Sequence, residues 1–176
     1  MVILIAADVS IKSVTGGAER VLYEESTRLA KKGHDVYILT RRLPCHSCNY
    51  EVIEGVKEYR YEVDQRNSLA FLYTTIVNSR RMFLSLIKEK SFDVINFHQP
   101  FTAFGINLIK ESQNIRKVYT CLSLSFEEYE TRHAKPHSYI RFMNYTINSK
   151  IRRYIERKSL FKSCKIIVLS DFTTQK

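Results

Sequence analysis

The sequence has no apolar run that approaches the roughly 20 residues needed to cross a bilayer as a helix. Its apolar start, residues 1–6, carries no basic segment before it, so it predicts a buried strand and not a signal peptide. Internal repeats and low-complexity tracts are also lacking. These absences predict a cytoplasmic, soluble protein, and 176 residues suffice for one domain with a sizeable core.

The common nucleotide-binding and metal-binding motifs are missing as well. Neither the dinucleotide motif G-x-G-x-x-G nor a Walker G-K-[ST] sequence occurs. Cys45 and Cys48 form a C-x-x-C with His46 between them, but no second ligand pair follows at the spacing of a structural zinc site. A redox C-x-x-C usually opens a helix, and none is predicted here. Cys121 and Cys164 lie in apolar stretches and are expected in the core. We therefore expect no metal and no cofactor.

The net charge of +10 suits nucleic acid, an anionic membrane surface or a negatively charged substrate. No zinc module, recognition-helix pattern or RNA-binding aromatic motif occurs, so nucleic acid is not expected as a partner. The basic residues concentrate in two amphipathic helical patterns, residues 67–90 and 138–160. Such helices suit the anionic face of a membrane, and the alternative is that they cover the core and expose a basic outer face.

Short apolar runs alternate with helical patterns along the whole chain. Strands are predicted at residues 1–7, 35–40, 51–63 (one or two short strands), 92–98, 116–123 and 165–170. Helices are predicted at residues 18–32, 69–89, 101–112 and 138–160, with a further one starting at 171, whereas 125–136 is polar and predicted irregular. This order predicts an α/β, Rossmann-like domain over residues 1–176, with a largely parallel sheet and helices on both faces.

A glycine pair follows the first predicted strand. In open parallel sheets, ligands bind beyond the carboxyl ends of the strands, and the first strand-to-helix turn is the usual place. Gly16 and Gly17 carry no Cβ, so a ligand can approach the backbone there and meet the free N–H groups of the next helix. The alternative is a tight turn with no ligand, and the spacing alone does not decide between them.

Two other predicted strands end in polar side chains at the same edge. His98 and Gln99 close the strand at 92–98, and a histidine there can donate a hydrogen bond or act as a base. The alternative is a histidine whose ring nitrogens are satisfied by the backbone. Ser123 closes the strand at 116–123, and Glu127 follows it. Ser170 is predicted to cap the next helix.

Four stretches in this order resemble the N-terminal domain of family-4 retaining glycosyltransferases, which have the GT-B fold. They are GGAERV (16–21), LAKKGHDV (29–36), FDVINFH (92–98) and CKIIVLS (164–170). The resemblance implies half of a GT-B architecture that holds the acceptor, with a C-terminal domain for most of the nucleotide-sugar. It implies transfer of a hexose with retention and without a metal ion. It places Gly16 and Gly17 at the donor, His98 as a catalytic residue, and His98, Gln99, Ser123 and Glu127 at a glycan, lipid-linked or small-molecule acceptor.

Two features depart from that family. Leu122 stands where the resemblance places a histidine, and leucine neither donates a hydrogen bond nor moves a proton. The printed sequence also holds no second α/β domain, so we expect it to transfer no sugar alone. It would be an excised domain, a truncated product or one half of a split enzyme. The alternative function is a non-catalytic scaffold or subunit related to glycosyltransferases.

Overall fold

The computed structural model describes residues 1–133 and 138–168, which form one seven-stranded sheet with helices against it. The strands are β1 (Val2–Ala6), β2 (Asp35–Arg41), β3 (Tyr50–Ile53), β4 (Val56–Tyr61), β5 (Val94–Phe97), β6 (Arg116–Cys121) and β7 (Lys165–Val168). The helices are α1 (Gly17–Lys31), α2 (Ser68–Glu89), α3 (Pro100–Asn107), α4 (Ser125–Arg132) and α5 (Tyr139–Phe161), with a 3₁₀ turn at Lys110–Asn114.

The strand order is β3-β4-β2-β1-β5-β6-β7, and every neighbouring pair is parallel except β3 and β4. The predicted Rossmann-like α/β fold is therefore confirmed. The antiparallel pair is a hairpin in which Glu54 and Gly55 form a two-residue loop with φ of 48° and 81°. Positive φ at both positions matches the right-handed twist of the strands, and it fixes the register of this edge.

The apolar strands alternate between two core layers because successive side chains point to opposite faces. On one face, Ile3 and Ile5 of β1 pack with Val36, Ile38 and Leu22, which belongs to α1. On the other face, α2 and α3 cover a larger cluster that includes Leu4, Tyr37, Phe83, Phe97, Ile106 and Tyr119. Helices thus lie on both faces of the sheet, as predicted.

Local signals place several helix ends correctly. The side chain of Asn67 accepts a hydrogen bond from the N–H of Ala70 at 2.8 Å and caps α2. Helix α1 ends at Lys31, just before Gly33 at φ 83°, a left-handed conformation that glycine adopts without strain. Pro100 occupies the first turn of α3, where its missing N–H costs no helical hydrogen bond.

Three predictions were wrong. Residues 125–132 form α4 and not an irregular segment, because Glu156 of α5 accepts hydrogen bonds from the N–H groups of Ser125 and Phe126 at 3.1 and 3.4 Å. Helix α3 ends at Asn107, and the 3₁₀ turn replaces its predicted last turn. Cys164 is exposed, in contrast to the buried Cys121, because it lies in the turn between α5 and β7. The predicted helix cap at Ser170 lies outside the described residues.

Candidate functional site

A cleft of about 530 Å³ lies at the edge of the sheet where the parallel strands end. The segments that follow β1, β5 and β6 contribute to its walls, together with the end of β2, the start of α1 and the middle of α5. The polar residues that line it include Asp8, Gly17, Arg41, Gln99, Ser123 and Arg152. Ligands of open α/β sheets bind at this edge.

The glycine turn opens onto this cleft through Gly17. Gly17 is the first residue of α1, and a Cβ built on it would meet no atom within 4 Å. Gly16 is the residue that precedes the helix, in extended backbone, and it does not line the cleft. A Cβ on Gly16 would lie 2.7 Å from a carboxylate oxygen of Glu19, a flexible side chain that can move. Packing does not require glycine at position 17, so the open space is available to a ligand.

Asp8 lies at the base of the cleft, just after β1. Its residue surface is 9% exposed, and Oδ1 has no hydrogen-bond partner in the described part of the chain. The Nε of Arg41 donates to the backbone oxygen of Asp8 at 2.9 Å. Burial raises the pKa of the Asp8 carboxyl to about 6, against the opposing effect of the positive charges of Arg41 and Arg152.

Arg152 reaches the cleft from α5. Its guanidinium lies between two aromatic rings, 5.1 Å from the centroid of Phe101 and 4.7 Å from that of Tyr129. One terminal nitrogen donates to Oγ of Ser68 at 3.0 Å, whereas Nε is buried with no partner among residues 1–133 and 138–168. Burial lowers the pKa of Arg152. The expected basic surface of α5 therefore does not include this residue.

His98 does not line the cleft, in contrast to the prediction from the strand end. Its side chain is 1% exposed, and Nε2 lies 2.9 Å from Oε2 of Glu25 on α1. Asn96 holds the same carboxylate, since its Nδ2 lies 2.6 Å from Oε1, and Oγ1 of Thr120 donates to Oδ1 of Asn96 at 3.0 Å. Nδ1 of His98 is buried without a partner in the described residues. The side chain points to the α1 face of the sheet because it alternates with Phe97, which belongs to the opposite core layer.

The structure divides the other predicted acceptor residues between two cavities. Gln99 and Ser123 line the cleft with Gly17, and the Ser123 hydroxyl donates to a carboxylate oxygen of Glu128. Leu122 lines it as well. Glu127 instead lines a second cavity of about 850 Å³ between the end of β6, β7, α4 and α5, because the first turn of α4 carries it away from Ser123.

Among the residues of the cleft that the sequence did not single out as site residues are Asp8, Arg41 and Arg152. Asp8 and Arg41 end or follow buried strands, which is the same signal that singled out Gln99 and Ser123. Arg152 shares a helical face with Tyr145, Asn148, Ile155 and Ser159, all buried, so the spacing of α5 marks it as inward-facing.

The C-x-x-C segment is anchored by its histidine. His46 is buried, and its Nδ1 accepts a hydrogen bond from the N–H of Leu43 at 3.0 Å. Its Nε2 therefore carries the proton and donates to Oγ of Ser10 at 3.1 Å. Burial lowers the pKa of His46. Cys45 and Cys48 are exposed free thiols, and the described residues contain no group of three or more histidine, cysteine or acidic side chains arranged for a metal ion.

Solved glycosyltransferases share this fold at low sequence identity. Sucrose-phosphate synthase from Thermosynechococcus elongatus superposes with a TM-score of 0.76 at 14% identity, over 99% of this chain and 43% of that one. Os79 from O. sativa, in complex with UDP, superposes with a TM-score of 0.57 at 11% identity, over 97% of this chain and 46% of that one. A UGT transferase from Siraitia grosvenorii, also in complex with UDP, superposes with a TM-score of 0.52 at 10% identity, over 95% of this chain and 44% of that one. The chain thus spans less than half of each of these enzymes.

No curated protein sequence matches the chain significantly. The sequence profile of Glycosyltransferase Family 4 matches residues 15–176, which covers most of the chain and includes every segment of the cleft except Asp8 and Val9. The seven-stranded sheet agrees with the GT-B neighbours. This chain belongs to Glycosyltransferase Family 4.

Proposed function

We propose that the chain is the acceptor-binding half of a retaining glycosyltransferase that takes a hexose from a nucleotide-sugar. The observation that carries the proposal is that Gly17, Gln99 and Ser123, from three separate segments, line one cleft at the carboxyl edge of the sheet. Gly17 approaches the donor, with Gly16 next to it in the same turn but outside the lining of the cleft, while Gln99 and Ser123 contact the acceptor. The UDP bound to two of the structural neighbours supports a nucleotide-sugar donor.

The nucleotide-sugar binds mainly to a C-terminal domain that the printed sequence does not hold, and no metal ion or other cofactor takes part. Residues 1–176 alone then transfer no sugar. The test combines them with a family-4 C-terminal domain, in one chain or as two, and offers nucleotide-sugars with candidate acceptors. Product with the anomeric configuration of the donor supports the proposal. Donor binding without transfer in every combined form, or product of inverted configuration, contradicts it.

A non-catalytic scaffold or split-enzyme subunit is the second candidate, and two observations favour it. Leu122 lines the cleft where the resemblance places a histidine. His98, the residue predicted to be catalytic, is buried against Glu25. In this case the combined forms bind acceptor and donor without transfer, and Leu122→His does not restore activity.

We also propose that α5 holds the protein against an anionic membrane, at the inner face of the membrane in the cytoplasm. Ile140, Ile147, Tyr154 and Phe161, spaced seven residues apart, are 70, 44, 57 and 77% exposed. Lysine and arginine side chains flank this stripe, and Glu156, the one acidic residue of α5, is buried. Arg153 pairs with Glu130 of α4 at 3.9 Å, and the helix keeps an excess of positive charge. A face with exposed apolar residues and excess positive charge fits the interface of an anionic bilayer. No helix within the described ranges is long and apolar enough to cross a membrane.

A further inference from the structure

Two guanidinium groups line the cleft without a carboxylate partner. Within residues 1–133 and 138–168, neither Arg41 nor Arg152 forms an ion pair. Arg60, the fully buried arginine of β4, pairs in contrast with both Glu51 and Glu58. The carboxylates of Asp8 and Glu128 act on these charges only from beyond ion-pair distance. Both guanidinium groups therefore keep N–H groups that an anionic ligand can pair with directly.

Both guanidinium groups are held in place before any ligand arrives. Arg152 lies between the rings of Phe101 and Tyr129 and donates to Ser68. Arg41 donates through Nε to the backbone oxygen of Asp8, and its guanidinium lies 5.6 Å from the ring centroid of Phe71. A planar guanidinium with a fixed orientation matches two oxygens of a phosphate or carboxylate. Little side-chain entropy is then lost when an anion binds.

The same cleft needs a hydrogen-bond donor. Asp8 is nine-tenths buried, lines the cleft and has no partner for Oδ1 in the described residues. A buried acceptor without a donor costs about 1–3 kcal/mol, so a ligand hydroxyl that reaches it gains affinity. An inorganic anion without a hydroxyl, such as sulfate, satisfies the arginines but not Asp8, and a neutral sugar satisfies Asp8 but not the arginines.

We infer that the acceptor is a sugar with an anionic group, in which Arg41 and Arg152 bind the phosphate or carboxylate and Asp8 accepts a hydrogen bond from a hydroxyl. This inference rests on the proposed function and names the acceptor's chemical class. The diphosphate of the nucleotide-sugar offers the same anionic chemistry as a sugar phosphate, and binding measurements separate the two sources.

The experiment titrates residues 1–176 with five probes: a hexose 6-phosphate, a hexuronate, the matched neutral hexose, inorganic sulfate and UDP. Calorimetry or chemical-shift titration gives each affinity. The hexose 6-phosphate, the hexuronate or both bind at least about tenfold more tightly than the neutral hexose. The anionic sugar that binds more tightly shows whether the two arginines bind a phosphate or a carboxylate. Equal affinity for charged and neutral sugars, or no detectable binding of either anionic sugar, overturns the inference.

Three variants and one control assign the contacts. Arg41→Gln and Arg152→Gln each weaken the anionic sugar about tenfold or more, whereas Arg80→Gln, which removes an exposed arginine of α2, leaves the affinity within about twofold. Asp8→Ala weakens binding of the anionic sugar but not of inorganic sulfate, which has no hydroxyl to donate, because the substitution removes the hydroxyl acceptor together with a negative charge. If Arg152→Gln fails to fold by circular dichroism, Arg41→Gln and Arg152→Lys decide the outcome.

Two results overturn the inference by their pattern. In the first, anionic sugars bind with the same affinity to both arginine variants as to the wild type. In the second, the arginine variants weaken the binding of UDP alone, which assigns Arg41 and Arg152 to the donor. Failure of the proposed function looks different. The form with a C-terminal domain then transfers no sugar, while anionic sugars still bind through Arg41 and Arg152. Efficient transfer to neutral acceptors alone contradicts the inference of an anionic acceptor and supports the proposed function.

Discussion

Ser10 donates its hydroxyl hydrogen to Oε1 of Glu58 at 2.7 Å, although the two residues are 48 positions apart. The other oxygen of Glu58 accepts the N–H of Ile11 at 3.0 Å, and Nε of Arg60 donates to Oε1 at 2.7 Å. Ser10, Glu58 and Arg60 are buried. The hydrogen bonds from Ser10 and Ile11 to Glu58 therefore join the segment between β1 and the glycine turn to strand β4, and the ion pair with Arg60 holds the Glu58 carboxylate in place.

We expect Glu58→Gln to lower the free energy of unfolding by about 3 kcal/mol, because it leaves the buried Arg60 with only Glu51 as a counter-ion. Urea unfolding followed by circular dichroism measures the loss. The control is Glu62→Gln, whose partner Arg42 is 34% exposed while Glu62 itself is 64% exposed, and it costs less than about 1 kcal/mol. Equal losses in the two variants would show that the buried network does not contribute in this way.

Gly105→Ala tests the close approach of α2 and α3. A Cβ on Gly105 would lie 2.6 Å from the backbone oxygen of Ile76 and 3.1 Å from Oγ of Ser79. Since a backbone carbonyl cannot rotate away, the helices must separate, at a cost of about 1–3 kcal/mol in unfolding free energy. Thermal and urea unfolding report the change. An alanine variant as stable as the wild type would mean that the two helices do not pack this closely.

Gly17→Ala is expected to behave in the opposite way. The space around its Cβ is open, and alanine stabilises a helix relative to glycine, so stability stays the same or rises by up to about 1 kcal/mol. The methyl group occupies the cleft where the donor approaches, so transfer by the form with a C-terminal domain falls about tenfold or more. Assays of transfer and unfolding on the same preparation separate the effects. Unchanged transfer would remove the glycine turn from the donor site.

The sheet and most helix ends follow from local patterns. Continuous apolar runs predict the buried parallel strands, and Gly33 and Asn67 mark helix ends through backbone conformation and capping. Helix α4 was not predictable in this way, because part of the stabilisation of its N-terminus comes from Glu156, about 30 positions later in the chain. Long-range contacts of this kind leave no short-range periodic signal.

The candidate site was predictable only in part, for a related reason. The ends of parallel strands meet at one edge whatever their side chains, so Gln99 and Ser123 were placed at the cleft. Whether a side chain at such an end faces the cleft or a covering helix depends on which side chains of other elements it contacts. His98 contacts the carboxylate of Glu25 on α1, and the Arg152 guanidinium packs between the rings of Phe101 and Tyr129.

Glu156 makes the stability of the protein depend on pH in a predictable direction. Burial raises its pKa from the ordinary 4.5 to about 7, although the N–H groups of Ser125 and Phe126 act in the opposite direction. Because the folded state binds this proton more tightly than the unfolded state, the resulting stability is fully present below pH 4.5. It is lost as the pH rises through about 7.

We therefore expect Glu156→Gln to match the wild type at pH 4 and to exceed it by about 3 kcal/mol at pH 9, since a pKa difference of one unit corresponds to about 1.4 kcal/mol. Urea unfolding of both proteins across this range gives the difference curve. Glu89→Gln, which changes an exposed glutamate at the end of α2, shows no comparable pH-dependent gain. A gain for Glu156→Gln that is independent of pH would assign it to packing and not to ionisation.

The proposed membrane surface of α5 makes a charge-specific prediction. Replacing Lys150, Arg153 and Arg157 by glutamine weakens co-sedimentation with phosphatidylserine vesicles about a hundredfold, at roughly 1 kcal/mol for each charge. Arg80, Arg81 and Lys88 are exposed on α2, and the same replacement there removes equal charge with a much smaller effect. Arg152 stays unchanged in both variants because it lines the cleft.

The apolar stripe gives a second, independent contribution to membrane binding. Ile140→Ser with Ile147→Ser weakens binding even at high salt, where the charged contribution is screened, because buried apolar area does not depend on ionic strength. Val14→Ser with Val52→Ser is the control, since these residues are 45 and 54% exposed and lie outside α5. If the triple variants of α5 and α2 lose vesicle binding equally, the interaction depends on the net charge of the protein and not on a specific surface of α5. No binding to anionic vesicles by the wild type would remove the membrane from the function of α5.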